Sequence, residues 1–287
     1  MPPESNTGLQ RQSKVIFPYH FSPDKRLVHI VARISDDPGA LASVLTLIGS
    51  KVNLIGTTSY ALKGGTAIFS GFGELLSRSD TGESVREFVT LSRKVMACQV
   101  WESKGGLLVD WFHTGVQSST GEPCIILPTS GLAKTFDEVV RTFGSGGETI
   151  LYLQGREFAI ARFELYRKML GPHPEKRFDE ALHIFEAAGY GSSSVDIRDS
   201  GKELHLVTKG CFECSSGSES GRTCAYTRGL AVGSFGEAFG KELTCEEIRC
   251  RLKRSNECEF VLRAKDGQPL VQQVSGQRQR ATSGSSK

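Results

Sequence analysis

Six cysteines, Cys211, Cys214, Cys224, Cys245, Cys250 and Cys258, fall within one 48-residue stretch of a 287-residue chain, while Cys98 and Cys124 stand apart. Clustered thiols serve either as a disulfide framework or as metal and redox ligands, and the two uses belong to different kinds of chain. This one is long enough for about two domains with cores of their own. Its 38% hydrophobic and 23% charged residues exclude a wholly disordered, collagen-like or coiled-coil chain. The first residues, MPPESNTGLQRQSK, contain no apolar segment ahead of a small-residue cleavage site. The expectation is a cytoplasmic protein whose clustered cysteines bind metal, with Cys98 and Cys124 as small buried apolar residues. No stretch approaches the ~18 consecutive apolar residues of a membrane span, so no membrane contact is expected.

Within the cluster, a helix is expected from about Cys224 to Phe239, a shorter one from about Thr244 to Lys253, and a last strand, CEFVLRA. Glu247 and Cys250 are then one turn apart on one helix face, Cys224 begins the preceding helix, and Cys258 begins the strand. Three thiolates and a carboxylate so placed can surround one Zn²⁺ tetrahedrally. A site with four protein ligands has no open position for water and serves to pin elements together. Glu246, four residues before Cys250, could take the place of Glu247. Cys211 and Cys214 form a C-x2-C that reads as a free thiol pair in preference to half a metal site, and Cys245 reads as a bystander.

Net charge is +3, but Arg263, Lys265, Arg278, Arg280 and Lys287 against Asp266 give the end of the chain +4, so the remainder is close to neutral. Nothing in it reads as a nucleic-acid footprint. Residues 266–287 read as a disordered basic tail and residues 1–25 as a flexible start. His113, His173, His183 and His205 lack metal spacing, and no Ser or Cys nucleophile signature pairs with them. No catalytic residue is identified and the expectation is a non-enzymatic protein.

Ahead of the cysteines, RLVHIVARI alternates at period two and reads as a half-buried strand. In SDDPGALASVLTLIG, Asp36 or Asp37 can cap a helix with Pro38 at its first position, and Leu41, Val44, Leu45 and Ile48 recur at helical spacing up to Gly49. A strand from Val52, a turn at Gly64-Gly65, the strand TAIFSGFGEL, a helix from about Gly82 to Ser92 and the strand KVMACQVWE complete a βαββαβ, ferredoxin-like order. From about Gly105 the pattern changes to helices around Leu132–Phe143 and Glu148–Leu170, a third from Phe178, and a hairpin turning at Asp199-Ser200-Gly201, an α+β organisation without a dinucleotide fingerprint. Trp111, Phe112, Phe158, Phe163, Tyr166, Phe178 and Phe185 are candidates to line an apolar cavity, although helical spacing usually means core.

Residues 26–103 resemble the ACT family of small regulatory domains through Asp36-Asp37-Pro38-Gly39-Ala40-Leu41 and Val52-Asn53-Leu54-Ile55. The resemblance implies a homodimer and an amino acid held by Asp37, Gly39, Ala40, Leu41 and Asn53, although many such domains only dimerise. Residues 115–265 resemble the 4-vinyl reductase domain, a type also found in phenol-responsive regulators. The spacing C-x22-E-x2-C-x7-C carries this resemblance, together with Cys224-Ala225-Tyr226-Thr227-Arg228-Gly229 followed by Gly233. It implies an α+β, trafficking-complex-like fold, structural zinc on Cys224, Glu247, Cys250 and Cys258, and an apolar pocket for a small hydrophobic or aromatic molecule, whose lining the spacing does not identify. Together they imply a ligand-responsive regulatory protein read by a partner protein outside this chain. The rival readings are a vinyl-reductase-related enzyme component and a ligand-free dimeric scaffold.

Overall fold

The computed structural model describes residues 12–173, 177–214, 221–253 and 255–271, which divide into two compact units at Ile126/Leu127. The first unit contains β1 (Tyr19–Phe21), β2 (Leu27–Ser35), α1 (Ala40–Gly49), β3 (Val52–Leu62), β4 (Thr66–Leu75), α2 (Gly82–Thr90), β5 (Val95–Glu102), β6 (Leu107–Val109), β7 (Val116–Gln117) and β8 (Pro123–Cys124). The second contains α3 (Thr129–Phe143), α4 (Ser145–Leu170), α5 (Phe178–Ala187), β9 (Ser192–Arg198), β10 (Glu203–Lys209), α6 (Ala225–Phe239), β11 (Leu243–Arg249) and β12 (Cys258–Ala264).

In the first unit, β2 to β5 form one antiparallel sheet in the order β3-β4-β2-β5. Val28, Ile30, Ala32 and Ile34 alternate along β2 and pack with Val44 and Ile48 of α1 and Val85 and Val89 of α2. The opposite face is covered too: Leu27 and Phe72 pack with Leu108 of β6, which pairs with β1, and with Phe17. Expecting β2 to be half-buried was therefore wrong, because the β1–β6 ribbon adds a second layer that local alternation does not reveal. Residues 12–25 contain a paired strand, where the sequence suggested only a flexible start; residues 1–11 lie outside the described residues. The β7–β8 ribbon also belongs to this unit, so the boundary lies later than residue 115.

Capping of α1 differs from expectation as well. Gly39 is its N-cap, with φ +82°, and no side chain caps it. Neither Asp36 nor Asp37 does so, because the turn needs a left-handed residue where only glycine is free of Cβ strain. Thr81 does cap α2: its side chain accepts from the Ser84 backbone N–H, and Ser84 reciprocates.

The second unit has an antiparallel sheet, β11-β12-β10-β9, whose β9–β10 hairpin turns at Asp199–Gly201. Leu204, Leu206, Phe260 and Leu262 of the sheet share a core with Ala231, Val232 and Phe235 of α6. Helices α4 and α6 lie backbone to backbone. A Cβ on Gly229 would collide with the Tyr152 carbonyl oxygen, and one on Gly155 with that of Tyr226, which gives the Gly229 and Gly233 spacing a packing reason. The helix expected over 244–253 is instead β11 followed by a short 3-10 turn, Arg251–Lys253. Cys245 and Glu247 face inward while Thr244, Glu246 and Ile248 are exposed, a period of two in a segment too short to separate from helical spacing. At the chain's end, Leu270 is buried and donates its N–H to the Gly201 carbonyl, so the expected tail begins later; residues 272–287 lie outside the described residues.

Candidate metal centre and adjoining cavity

Five thiols converge inside the second unit. Cys211 and Cys214 follow β10, Cys224 is the N-cap residue of α6, Cys250 follows β11, and Cys258 opens β12. All five are buried and all eight cysteines of the chain are free. Cys224 Sγ lies 3.7 Å from Cys250 Sγ and 3.9 Å from Cys258 Sγ. Cys214 Sγ lies 2.7 Å from Cys224, 3.3 Å from Cys258 and 3.9 Å from Cys250. A Zn–S bond of about 2.3 Å puts tetrahedral sulfurs about 3.8 Å apart, the scale of most of these separations.

Among the described residues, two overlapping donor sets each fall within 4.8 Å: Cys224, Glu247, Cys250 and Cys258, and Cys211, Cys214, Cys224 and Cys258. The first is the set expected from the sequence. A β-bulge between Glu247 and Arg249 turns the chain toward Cys250, so a strand end, not a helix face, brings the two donors together. Glu247 Oε2 accepts the Cys224 N–H at 3.1 Å, whereas its Oε1 is buried with no hydrogen-bond partner. A buried carboxylate oxygen aimed at three thiols and left unpaired fits a cation. Burial pushes the Glu247 carboxyl up to about 7, although the Cys224 N–H opposes it. Glu246 is exposed and lies 3.6 Å from Arg263, outside the centre.

The second set corrects the expectation of a free thiol pair, since Cys211 and Cys214 belong to the cluster. The clue was the C-x2-C at a strand end followed, across a polar loop, by a cysteine at a helix start. Cys245 is in neither set, and burial pushes its thiol up to about 12. The thiols share protons: hydrogen bonds from Cys214 hold Cys211 and Cys250 below the usual thiol range, while bonds to Cys211 push Cys214, Cys224 and Cys258 above it. Cys98 and Cys124, expected to be buried, are only half-buried.

Glu213, between Cys211 and Cys214, anchors this segment. It accepts the N–H groups of Tyr226 at 3.2 Å and Thr227 at 2.7 Å in the first turn of α6, and the Thr227 hydroxyl at 2.7 Å. Arg222, fully buried, donates to the Glu213 carboxylate and carbonyl and to Asp137. Carboxylate, helix N-terminus and guanidinium thus fix the loop from which two thiols project.

The same loop forms one wall of an apolar cavity of about 100 Å³. Phe163, Tyr166, Phe178 and Phe185 line it, as the sequence suggested, together with Tyr190, Leu206, Phe212 and Phe235. Trp111, Phe112 and Phe158 do not; all three are exposed. No lining residue is charged, and two of the hydroxyls, Ser193 and Thr208, bond to each other at 2.9 Å. Phe212 sits in sequence between the thiols, and Thr227, 3.5 Å from Cys211 Sγ through its hydroxyl, also lines the cavity.

In the first unit, the five residues singled out for an amino acid lie around the start of α1 and β3. The Ala40 N–H is used within the turn, donating to the Asp37 carbonyl, and the exposed Asp37 carboxylate accepts from Lys94 Nζ at 2.7 Å. Leu41 packs against the core, and Asn53 is exposed on β3. A shallow groove lined by Ser43, Thr46, Leu47, Leu91 and Ser92 includes none of them. Of the histidines, His205 is buried against Glu259 and Glu203, and His113 bonds to Asp110 and Tyr60.

No helix among the described residues is long and apolar enough to cross a membrane. No curated protein matches the chain significantly. Solved structures similar to it include the phenol-responsive sensory domain of the transcription activator PoxR with phenol, at 20% identity and TM-score 0.43, covering 51% of this chain and 82% of that one. A trafficking protein particle complex subunit 3 from Naegleria fowleri, covalently bound to palmitic acid, is 16% identical with TM-score 0.39, covering 48% and 95%. A vinyl-4-reductase family protein from Methanocaldococcus jannaschii is 22% identical with TM-score 0.33, covering 49% and 82%. The family model of the 4-vinyl reductase domain matches residues 204–264, the stretch from β10 to β12 that contains all five clustered cysteines and Glu247.

Proposed function

We propose that this is a ligand-responsive regulatory protein whose second unit senses a small, neutral, hydrophobic or aromatic molecule. The observation that carries this reading is the apolar cavity with its Phe212 and Thr227 wall bolted to the thiol cluster. An engineered apolar cavity of about 150 Å³ takes up benzene, so about 100 Å³ is on the scale of one small ring. The uncharged lining would make an ionised ligand costly. The match of residues 204–264 to the 4-vinyl reductase domain supports the same reading. Zinc, held by Cys224, Glu247, Cys250 and Cys258, is the structural staple, and the trafficking-complex-like α+β fold is the frame.

The first unit is read as an ACT-like regulatory domain of ferredoxin-like fold. Its βαββαβ order and antiparallel β3-β4-β2-β5 sheet support this, as does the left-handed Gly39 turn at the start of α1, where an amino-acid carboxylate would meet Asp37, Gly39, Ala40, Leu41 and Asn53. β3 and β5 are outer strands of that sheet, suited to pairing in a homodimer. The protein acts in the cytoplasm without catalysis, through a separate regulatory protein.

The test uses the full chain and phenol as probe. Phenol raises the melting temperature of the wild type, benzoate does not, and Ala231→Phe, which fills the cavity, abolishes the phenol shift. An equal shift in the filled variant, or none from phenol, toluene or indole in the wild type, contradicts the reading.

A further inference from the structure

The thiol cluster has more donors than one ion can use. Any tetrahedral site drawn from Cys211, Cys214, Cys224, Glu247, Cys250 and Cys258 leaves two buried donors unspent. The two donor sets are related in a specific way: they have Cys224 and Cys258 in common, with Cys211 and Cys214 added in one and Glu247 and Cys250 in the other. Two tetrahedra that share an edge have six corners, two shared and two on either side, which is the number of donors present. Both shared corners are cysteines, and a thiolate sulfur can bridge two metal ions. The carboxylate, a hard donor, belongs to one set alone.

The contacts keep the two ends apart. Cys211 interacts with Cys214, Cys224, Cys258 and the Thr227 hydroxyl. Glu247 interacts with Cys224 and Cys250 and leaves one buried oxygen unpaired. Cys214 also lies 3.9 Å from Cys250 and would allow a single all-thiolate ion, but that arrangement excludes both Cys211 and the unpaired Glu247 oxygen. Charge points the same way. One divalent cation cannot balance the deprotonated forms of six buried anionic donors, whereas two come within two charges of doing so.

We propose that the cluster is a dinuclear centre for two divalent thiophilic ions of the zinc class, bridged by the sulfurs of Cys224 and Cys258. One ion is completed by Cys211 and Cys214 and the other by Glu247 and Cys250. The second ion extends the single-zinc reading, on which this inference rests, and places a metal directly behind the Phe212 wall of the cavity.

The test is native mass spectrometry of the full chain expressed with added zinc. The wild type carries two zinc ions, and the Cys211→Ser/Cys214→Ser double variant carries one. ¹¹³Cd NMR of the cadmium-substituted wild type, which needs no variant to fold, gives two resonances coupled to each other through the bridging sulfurs. One zinc in the wild type, retained in the double variant, overturns the second ion and leaves the single-zinc reading standing. One zinc lost in Cys214→Ser but kept in Glu247→Gln overturns it in favour of an all-thiolate ion. A chain that binds no zinc removes both readings, and two uncoupled cadmium resonances exclude the bridge.

Discussion

The two units solve the same problem, covering a four-stranded antiparallel sheet, by different means. In the first, apolar side chains do it on both faces: Val28, Ile30, Ala32 and Ile34 meet the helices, and Leu27 and Phe72 meet the β1–β6 side. In the second, part of the core is a cluster of thiols, and a cavity remains beside it. A close-packed unit has nothing to gain from a ligand. One that retains a cavity and depends on a metal staple can be shifted by whatever fills either, provided that the filler distinguishes two states.

The largest effect should come from attacking the staple. Zinc contributes on the order of 10 kcal/mol to the folding of small metal-dependent domains. Chelation, or Cys250→Ser, should therefore lower the melting of the second unit by ten degrees or more while the first unit's transition stays in place, as read by calorimetry. A single cooperative transition that moves as a whole would break the comparison. The converse substitution, Ile30→Ala in the fully buried face of β2, should cost about 2–5 kcal/mol in the first unit and leave the metal content unchanged.

A pH titration sharpens the contrast next. His29 is fully buried, stacked on Phe72 and Trp101, and its Nε2 bonds to Ser70 Oγ at 2.9 Å. Burial lowers its pKa from 6.5 to about 4, partly offset by Asp110, with His113 adding to the lowering. Because the unfolded chain takes up this proton first, the stability due to neutral His29 is complete above pH 6.5 and is lost as pH falls through about 4. The loss approaches about 3 kcal/mol. Urea unfolding of the first unit between pH 7 and 4 checks this, and His29→Phe should flatten that limb. The smallest effect is that of Thr81→Ala, which removes the α2 cap for about 1 kcal/mol, within the first unit only.

What the sequence conveys differs between the units in the same way. The first is legible from local signals: the Gly39 turn, Val44 and Ile48 at helical spacing, and the glycine turn at Gly64-Gly65 each specify the nearest element. Its second sheet layer was not legible, because the partners of Leu27 and Phe72 come from Phe17 and Leu108, far along the chain. In the second unit, four of the donors followed a recognisable spacing, but β11 was misread as a helix because LTCEEIR is short enough for either period. Cys211 and Cys214 were missed because a C-x2-C carries no information about a third thiol ten residues away until Glu213 and Arg222 fold the loop back onto α6. The cavity aromatics were half legible: Phe163, Tyr166, Phe178 and Phe185 stood out on helices, but Phe212 lies in a turn between two cysteines.

Hydrogen exchange of the full chain, with and without a zinc chelator, tests the central claim most directly. If metal holds the sensing wall, chelation should remove protection from residues 204–264, beginning with the segment around Phe212 and the first turn of α6, while β2, β4 and β5 exchange as before. Unchanged protection around Phe212 after the metal has been removed would contradict the account, because the cavity wall would then stand without its staple.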